Sequence, residues 1–241
     1  MNHVNRQKNL IDEDTLKVRS FGVSFYVLRD AQGLYLIDGG FIGGTNQLLQ
    51  ALDKRGWANE RIVGIVVTHG HLDHILNIHR LASITGAWVA APELDRAHYS
   101  GSACYHGVAK FTGLLESLGR PLLGFKTFSP DRLLHDGDML EIWQGLKMIH
   151  LPGHTAGHCG FYCSTRKLLF AADLFASYEH FSHLPPRIFN TNEREMRKSV
   201  TRALELDLTG VLPNHGDDVT PEVHLKRLIC LHEKMRKSEI L

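Results

Sequence analysis

Apolar runs of five to eight residues recur along the chain, separated by polar or glycine-bearing stretches. The first batch is FGVSFYVL at 21–28, LYLIDGG at 34–40, IVGIVVTH at 62–69 and AWVAAP at 87–92. The second is DGDMLEI at 136–142, LKMIHL at 146–151, CGFYC at 159–163 and KLLFAAD at 167–173, with a last short run, GVLPN, at 210–214. Their length and their β-branched and aromatic content predict strands. Residues 44–55 and 74–85 instead repeat apolar positions at helical spacing. Two further helices carry start signals. Asn192 followed by Glu195 is a capping box leading into Met196, Val200, Ala203 and Leu204 on one face. Thr220-Pro221 places proline at a first helical position, ahead of a stripe of Leu225, Leu228 and Ile229.

Strands in two groups with helices distributed around them predict an α+β class, sheets packed together with outer helices. A length of 241 residues allows one large domain or two small ones. With no Pro/Ser-rich linker, low-complexity tract or repeat to divide it, the expectation is a single domain over 1–241. Residues 95–120 fit neither period, and read as a surface insertion with a short helix, the kind of segment that shapes a substrate pocket.

Composition narrows the function classes. A hydrophobic share of 43% with 22% charged residues excludes a disordered chain. The net charge of +1 gives no composition-level case for nucleic acid or an anionic membrane as partner. The longest apolar runs fall short of the roughly 20 residues a membrane helix requires. The stretch MNHVNRQKNLIDEDTLKV lacks the apolar core of a secretion signal. Cys104, Cys159, Cys163 and Cys230 form no Cys-x-x-Cys pair, and four scattered thiols suit a reducing compartment. The expectation is a cytoplasmic protein acting on a small molecule, with self-association left open.

Sixteen histidines change the picture, because imidazole is both the commonest metal ligand and the near-neutral acid/base. The apolar run at 62–68 leads straight into Thr68-His69-Gly70-His71-Leu72-Asp73-His74. At this composition such a His-x-His-x-Asp-His string arises by chance about 0.004 times in a chain of this length. Four ligand-type side chains at a strand end can converge on one point, as a metal ion requires. Three weaker signals share that context. Pro152 and Gly153 force a turn that presents His154, with His158 four residues on. Asp173 ends the run from 167, where a lone carboxylate must be paired, capped or metal-bound. Asn214-His215-Gly216 ends the last short run.

Taken in order, these motifs resemble those of the metallo-β-lactamase superfamily, from Asp38-Gly39-Gly40 to His215. The resemblance implies a four-layer αββα sandwich of two mostly antiparallel sheets with outer helices, and a binuclear metal site at one edge. It implies His69, His71 and His154 on a first ion, Asp73, His74 and His215 on a second, and Asp173 bridging both. Asp38 matches the family's motif aspartate, which lies behind the ligands, and His158 matches a structural histidine of the same motif. Five imidazoles and two carboxylates suit borderline divalent ions, zinc first, with iron and manganese as alternatives. Two such ions would ionise a water between them near neutral pH, and Asp73 would orient the resulting hydroxide as well as ligate.

Several branches share these motifs. Asp at position 173 and the Pro152-Gly153-His154-Thr155-Ala156-Gly157-His158 string resemble the glyoxalase II branch, whereas the 26 residues after His215 leave room for only a single helix in place of a glutathione-binding part. Ala176 stands where the quorum-quenching lactonases of the superfamily place a tyrosine. The expectation is therefore a hydrolase of a small ester, thioester or lactone. The alternatives are a mononuclear iron persulfide dioxygenase, with His154, Asp173 and either His69 or His71 as ligands, and a phosphodiesterase. His98, Tyr99, Tyr105 and His106 are left as pocket-lining or solvated loop positions, and His79, His135, His150, His224 and His232 are unassigned.

Overall fold

The structure is a computed structural model that describes residues 10–238. The part of the secretion-signal reading that rests on residues 1–9 lies outside them. The chain divides into two compact units, one running through Ala103 and adding Leu114–Leu134, the other comprising Cys104–Gly113 and the chain from His135 onward.

The first unit is built on a seven-stranded sheet in sequence order: β1 (Leu10–Asp12), β2 (Thr15–Ser20), β3 (Val23–Asp30), β4 (Gly33–Ile37), β5 (Ile62–Val66), β6 (Trp88–Pro92) and β7 (Arg132–Leu134). The first four strands pair antiparallel and the last four parallel. β1, β2 and β7 were not read from the sequence: β1 and β7 have three residues each, and in β2 Leu16 and Val18 alternate with polar residues, so no apolar run marks it. Helix α1 (Gly44–Arg55) packs Leu48 and Leu52 into a core with Phe25, Val27, Leu34, Leu36, Ile65 and Val67. The helix read at 74–85 is two pieces, α2 (Leu72–Ile75) and α3 (Ile78–Thr85). Asn77 sits at the break because its side chain has another task. Its Nδ2 donates to the carbonyls of Gly39, Gly40 and Phe41, and its Oδ1 accepts from Thr45 Oγ1. The 95–120 segment, expected as a surface insertion with one short helix, is mostly exposed and carries two. It holds α4 (Arg96–Tyr99) and α5 (Lys110–Leu122), and Tyr99 is fully buried in the core.

The second unit has a five-stranded sheet from β8 (Met139–Leu140), β9 (Leu146–His150), β10 (Cys159–Cys163), β11 (Leu168–Ala172) and β14 (Gly210–Pro213), in the order β14-β11-β10-β9-β8. All pairs are antiparallel except β11 with β14. A small hairpin, β12 (Ala176–Ser177) with β13 (Ser182–His183), lies outside that sheet. Helices α6 (Glu193–Leu204) and α7 (Pro221–Ser238) bury Met196, Val200, Ala203, Leu228, Leu231 and Met235 against Ile149, Leu151, Leu169 and Ala171. The α7 stripe differs from the expected one: Ile229 is exposed, and the buried positions are His224, Leu228, Leu231 and Met235. Only half of the capping box forms. Asn192 Oδ1 accepts from the amides of Arg194 and Glu195, but Glu195 pairs with Lys198, and the Asn192 amide donates to Gly153 O instead. Asp136 links the sheet to α6, accepting from the His150 amide and from Arg202. Partial burial alone would raise its pKa, but those two donors outweigh it and hold the carboxyl below the usual range. Its contribution is therefore present above the ordinary carboxylate pKa and is lost as pH falls through the lowered one.

Among the described residues no helix is long and apolar enough to cross a membrane. Replacing Asn77 by alanine removes the donors to three carbonyls of the Gly39–Phe41 turn. A loss of about 1–3 kcal/mol in urea unfolding is expected, and an unchanged midpoint would show that the turn holds without it.

Candidate metal centre

In the first unit β4, β5 and β6 run parallel, so their C-terminal ends finish at one edge. Asp38 follows β4, Thr68 to His74 follow β5, and Asp95 follows β6. Asp38 is fully buried and adopts a left-handed backbone (φ 66), which aspartate tolerates better than most residues. Its Oδ1 accepts from the Thr68 amide at 2.8 Å. Its Oδ2 accepts from Thr68 Oγ1 at 2.7 Å and lies 3.0 Å from His74 Nδ1. With the hydroxyl proton of Thr68 committed to Asp38, Thr68 Oγ1 accepts from His69 Nδ1 at 3.0 Å. One carboxylate thus fixes two imidazoles with the proton on Nδ1 and the lone pair on Nε2. The His69 ring centre is 4.0 Å from that of His74 and 5.1 Å from that of His71. Asp73 Oδ2 is 3.5 Å from His74 Nε2.

Two further carboxylates hold the backbone of the motif, and neither was read from the sequence. Asp95 Oδ2 accepts from the Gly70 amide at 2.8 Å, and Glu116 Oε1 from the Leu72 amide at 3.0 Å. Both side chains are buried, and Glu116 is paired with Arg120 at 2.8 Å. They are the only acids in 95–120, a signal available in the sequence. Position 70 must be glycine, because a Cβ there would lie 2.3 Å from His98 Cβ.

The second unit supplies the other three expected ligands. His154 is almost fully buried, and its Nδ1 lies 3.0 Å from Asn190 Oδ1, while Asn190 Nδ2 donates to Pro185 O. That second bond sets the amide so that oxygen faces the ring, again placing the His154 lone pair on Nε2. Gly153 has φ 124, and a Cβ there would lie 2.3 Å from Met196 N. Its carbonyl accepts from the Asn192 amide and Thr191 Oγ1, so the His154 turn is fastened to the start of α6. The pairing of β11 with β14 is irregular between Phe170 and Ala172, and Ala172 adopts φ 49, which turns Asp173 out of the sheet. Asp173 Oδ2 lies 3.4 Å from His154 Nε2 and 3.2 Å from His215 Nε2.

His158 has both ring nitrogens engaged: Nδ1 donates to Leu151 O at 2.8 Å, and Nε2 accepts from the Asp173 amide at 3.1 Å. It supports Asp173 from behind. His215 is held through its carbonyl, which accepts from the Ser177 amide, and Ser177 Oγ lies 2.7 Å from Nδ1 of buried His224. His224, unassigned from sequence, is thus part of the frame around His215. Within each unit candidate ligand atoms lie close together. A ring nitrogen of His69 and one of His71 lie within 4.8 Å in the first, as do donor atoms of Asp173 and His215 in the second.

A family model described as the metallo-beta-lactamase superfamily matches residues 18–215. A hydroxyacylglutathione hydrolase of Cereibacter sphaeroides is 30% identical over 127 residues, 52% of this chain and 38% of its own length. The hydroxyacylglutathione hydrolase GloC of Haemophilus influenzae is 29% identical over 60% of this chain and 62% of its own. This chain therefore matches less than two thirds of the length of either hydrolase. Among solved structures, a subclass B3 metallo-beta-lactamase of Bradyrhizobium japonicum superposes with a TM-score of 0.68 at 20% identity, covering 96% of this chain and 92% of that one. The α+β fold expected from the sequence is the fold of that enzyme. With the motif order, the fold and the family model in agreement, the chain belongs to the metallo-beta-lactamase superfamily.

Proposed function

We propose that the chain, working as one domain over residues 1–241, is a metal-dependent hydrolase of a small ester, thioester or lactone. In this reading His69, His71 and His154 would hold one ion, Asp73, His74 and His215 would hold a second, and Asp173 would serve both. The observation that carries it is the orientation of His69, His74 and His154. Each has Nδ1 against an acceptor, in Thr68, Asp38 and Asn190 respectively, which makes Nε2 the ligating atom. The donor set, nitrogen and carboxylate oxygen without thiolate, fits two divalent ions, zinc first, with iron and manganese as alternatives. Bound there, such ions polarise a carbonyl and acidify water.

The chain's own residues do the rest. Asp73, partly exposed beside His74, orients the attacking water through a carboxylate oxygen. Asp38 keeps the protons of His69 and His74 on Nδ1 throughout turnover, and His158 holds the amide of Asp173. The names of the two hydroxyacylglutathione hydrolases favour a thioester among the three substrate classes.

Metal quantification on the purified chain, joined to a screen of thioesters, lactones and bis-p-nitrophenyl phosphate, tests the assignment. Two ions per chain with thioester or lactone turnover are expected. A single iron with oxygen uptake on a persulfide would replace hydrolysis by dioxygenation, and turnover of the phosphate diester alone would move the bond cleaved. His71→Ala or Asp173→Ala should abolish metal binding and turnover together, and full activity in either variant refutes the ligand set. Asp38→Asn places an amide donor where Thr68 and His74 need an acceptor. Its metal affinity, read by chelator competition, should fall about 10–100-fold with the circular dichroism unchanged. Replacing His158 by alanine should reduce turnover only in part, because His158 ligates nothing, and complete loss of metal would contradict that role.

A further inference from the structure

Helix α5 has its polarity reversed relative to an ordinary surface helix. Its inward positions are polar or small. Glu116 joins the Leu72 amide to Arg120, and Gly119 packs near Leu72. Its outward positions are Phe111, Leu114, Leu115, Leu118 and Leu122, continued by Leu123, with exposures from 37% to 83%. The helical five fall at i, i+3, i+4, i+7 and i+11, so they form one continuous stripe. A surface helix normally turns such a face inward, and here the inward side is taken up by holding the metal motif.

We propose that this stripe is the two-fold interface of a homodimer, α5 packing antiparallel against α5 of a second copy. The six side chains expose on the order of 600 Å², at the upper end of the largest patch on a typical monomer. A standard interface buries about 800 Å² per partner, of which roughly 60–65% is apolar, so the stripe matches the apolar share a stable dimer needs. Its charge pattern suits a self-complementary contact. Glu116 and Arg120 are paired with each other within the chain, and only Ser117 and Pro121 interrupt the apolar positions, so a two-fold axis brings no like charges together. Other occupants fit less well. A small ligand is held in a concave site, whereas this face is a convex helix side. A membrane-surface helix keeps its polar face in water, whereas that of α5 is turned inward.

Sedimentation velocity of the full chain across a micromolar concentration series tests the proposal, which does not rest on the hydrolase reading. The expected result is a species of twice the 27.1 kDa chain mass. The Leu115→Glu/Leu118→Glu variant should weaken dimerisation at least about 100-fold, with metal content and turnover unchanged. If that variant fails to fold, Leu122→Lys, at the most exposed position, should give the same shift to monomer. A wild-type chain that stays monomeric throughout overturns the proposal. So does a dimer that persists in the folded variant, and so does a monomer that floats with phosphatidylcholine vesicles.

Discussion

The histidine motif of the first unit depends on a carboxylate sealed from water. Asp38 has no solvent to share its charge, so its hydrogen bonds to the Thr68 amide, the Thr68 hydroxyl and His74 must carry it. Those same bonds determine which nitrogen of His69 and His74 holds the proton. Burial of one charge and orientation of two imidazoles are one event. The left-handed backbone at Asp38 belongs to the same arrangement, a local strain that the surrounding bonds hold in place and that turns the carboxylate back toward the end of β5.

The second unit reaches the same end by neutral means. Asn190 orients His154, its amide fixed in turn by Pro185 O, and His158 fastens Asp173 by the main chain. Amide and imidazole dipoles can be buried without a counter-charge as long as every donor finds an acceptor. Both solutions fix a histidine tautomer, and both draw their fixing groups from elements remote in sequence, so the frame forms only when its unit folds.

The ligand-type residues were legible because they are concentrated: His69 to His74 stand at the end of an apolar run, and His154 follows a Pro-Gly turn. Strands with consecutive apolar residues, such as β3 and β5, were legible for the same reason. Of the features that were not, three have a plain physical cause. β2 alternates lysine and arginine with its apolar residues, and Lys17 is buried despite its charge. The break at Asn77 has no glycine or proline to mark it, since it arises from carbonyls 36–38 residues away. Asp95, Glu116 and His224 act through backbone amides or a serine, and no spacing rule announces an acceptor whose donor is distant in sequence.

The parallel half of the first sheet has an evolutionary consequence. Because β4, β5 and β6 all end at the same edge, the segment that follows each strand reaches the chemistry without altering the strand itself. The segment after β5 is locked by Asp38 and by the acceptors of Gly70 and Leu72. Beyond Asp95, the connection after β6 is bound to the motif through Glu116 and through His98, which packs against Gly70 and His71. The positions there that face solvent, such as Val108 and Lys110, hold none of that frame, so they can drift while the motif is inherited intact, and descendants of one ancestor can differ in what they accept.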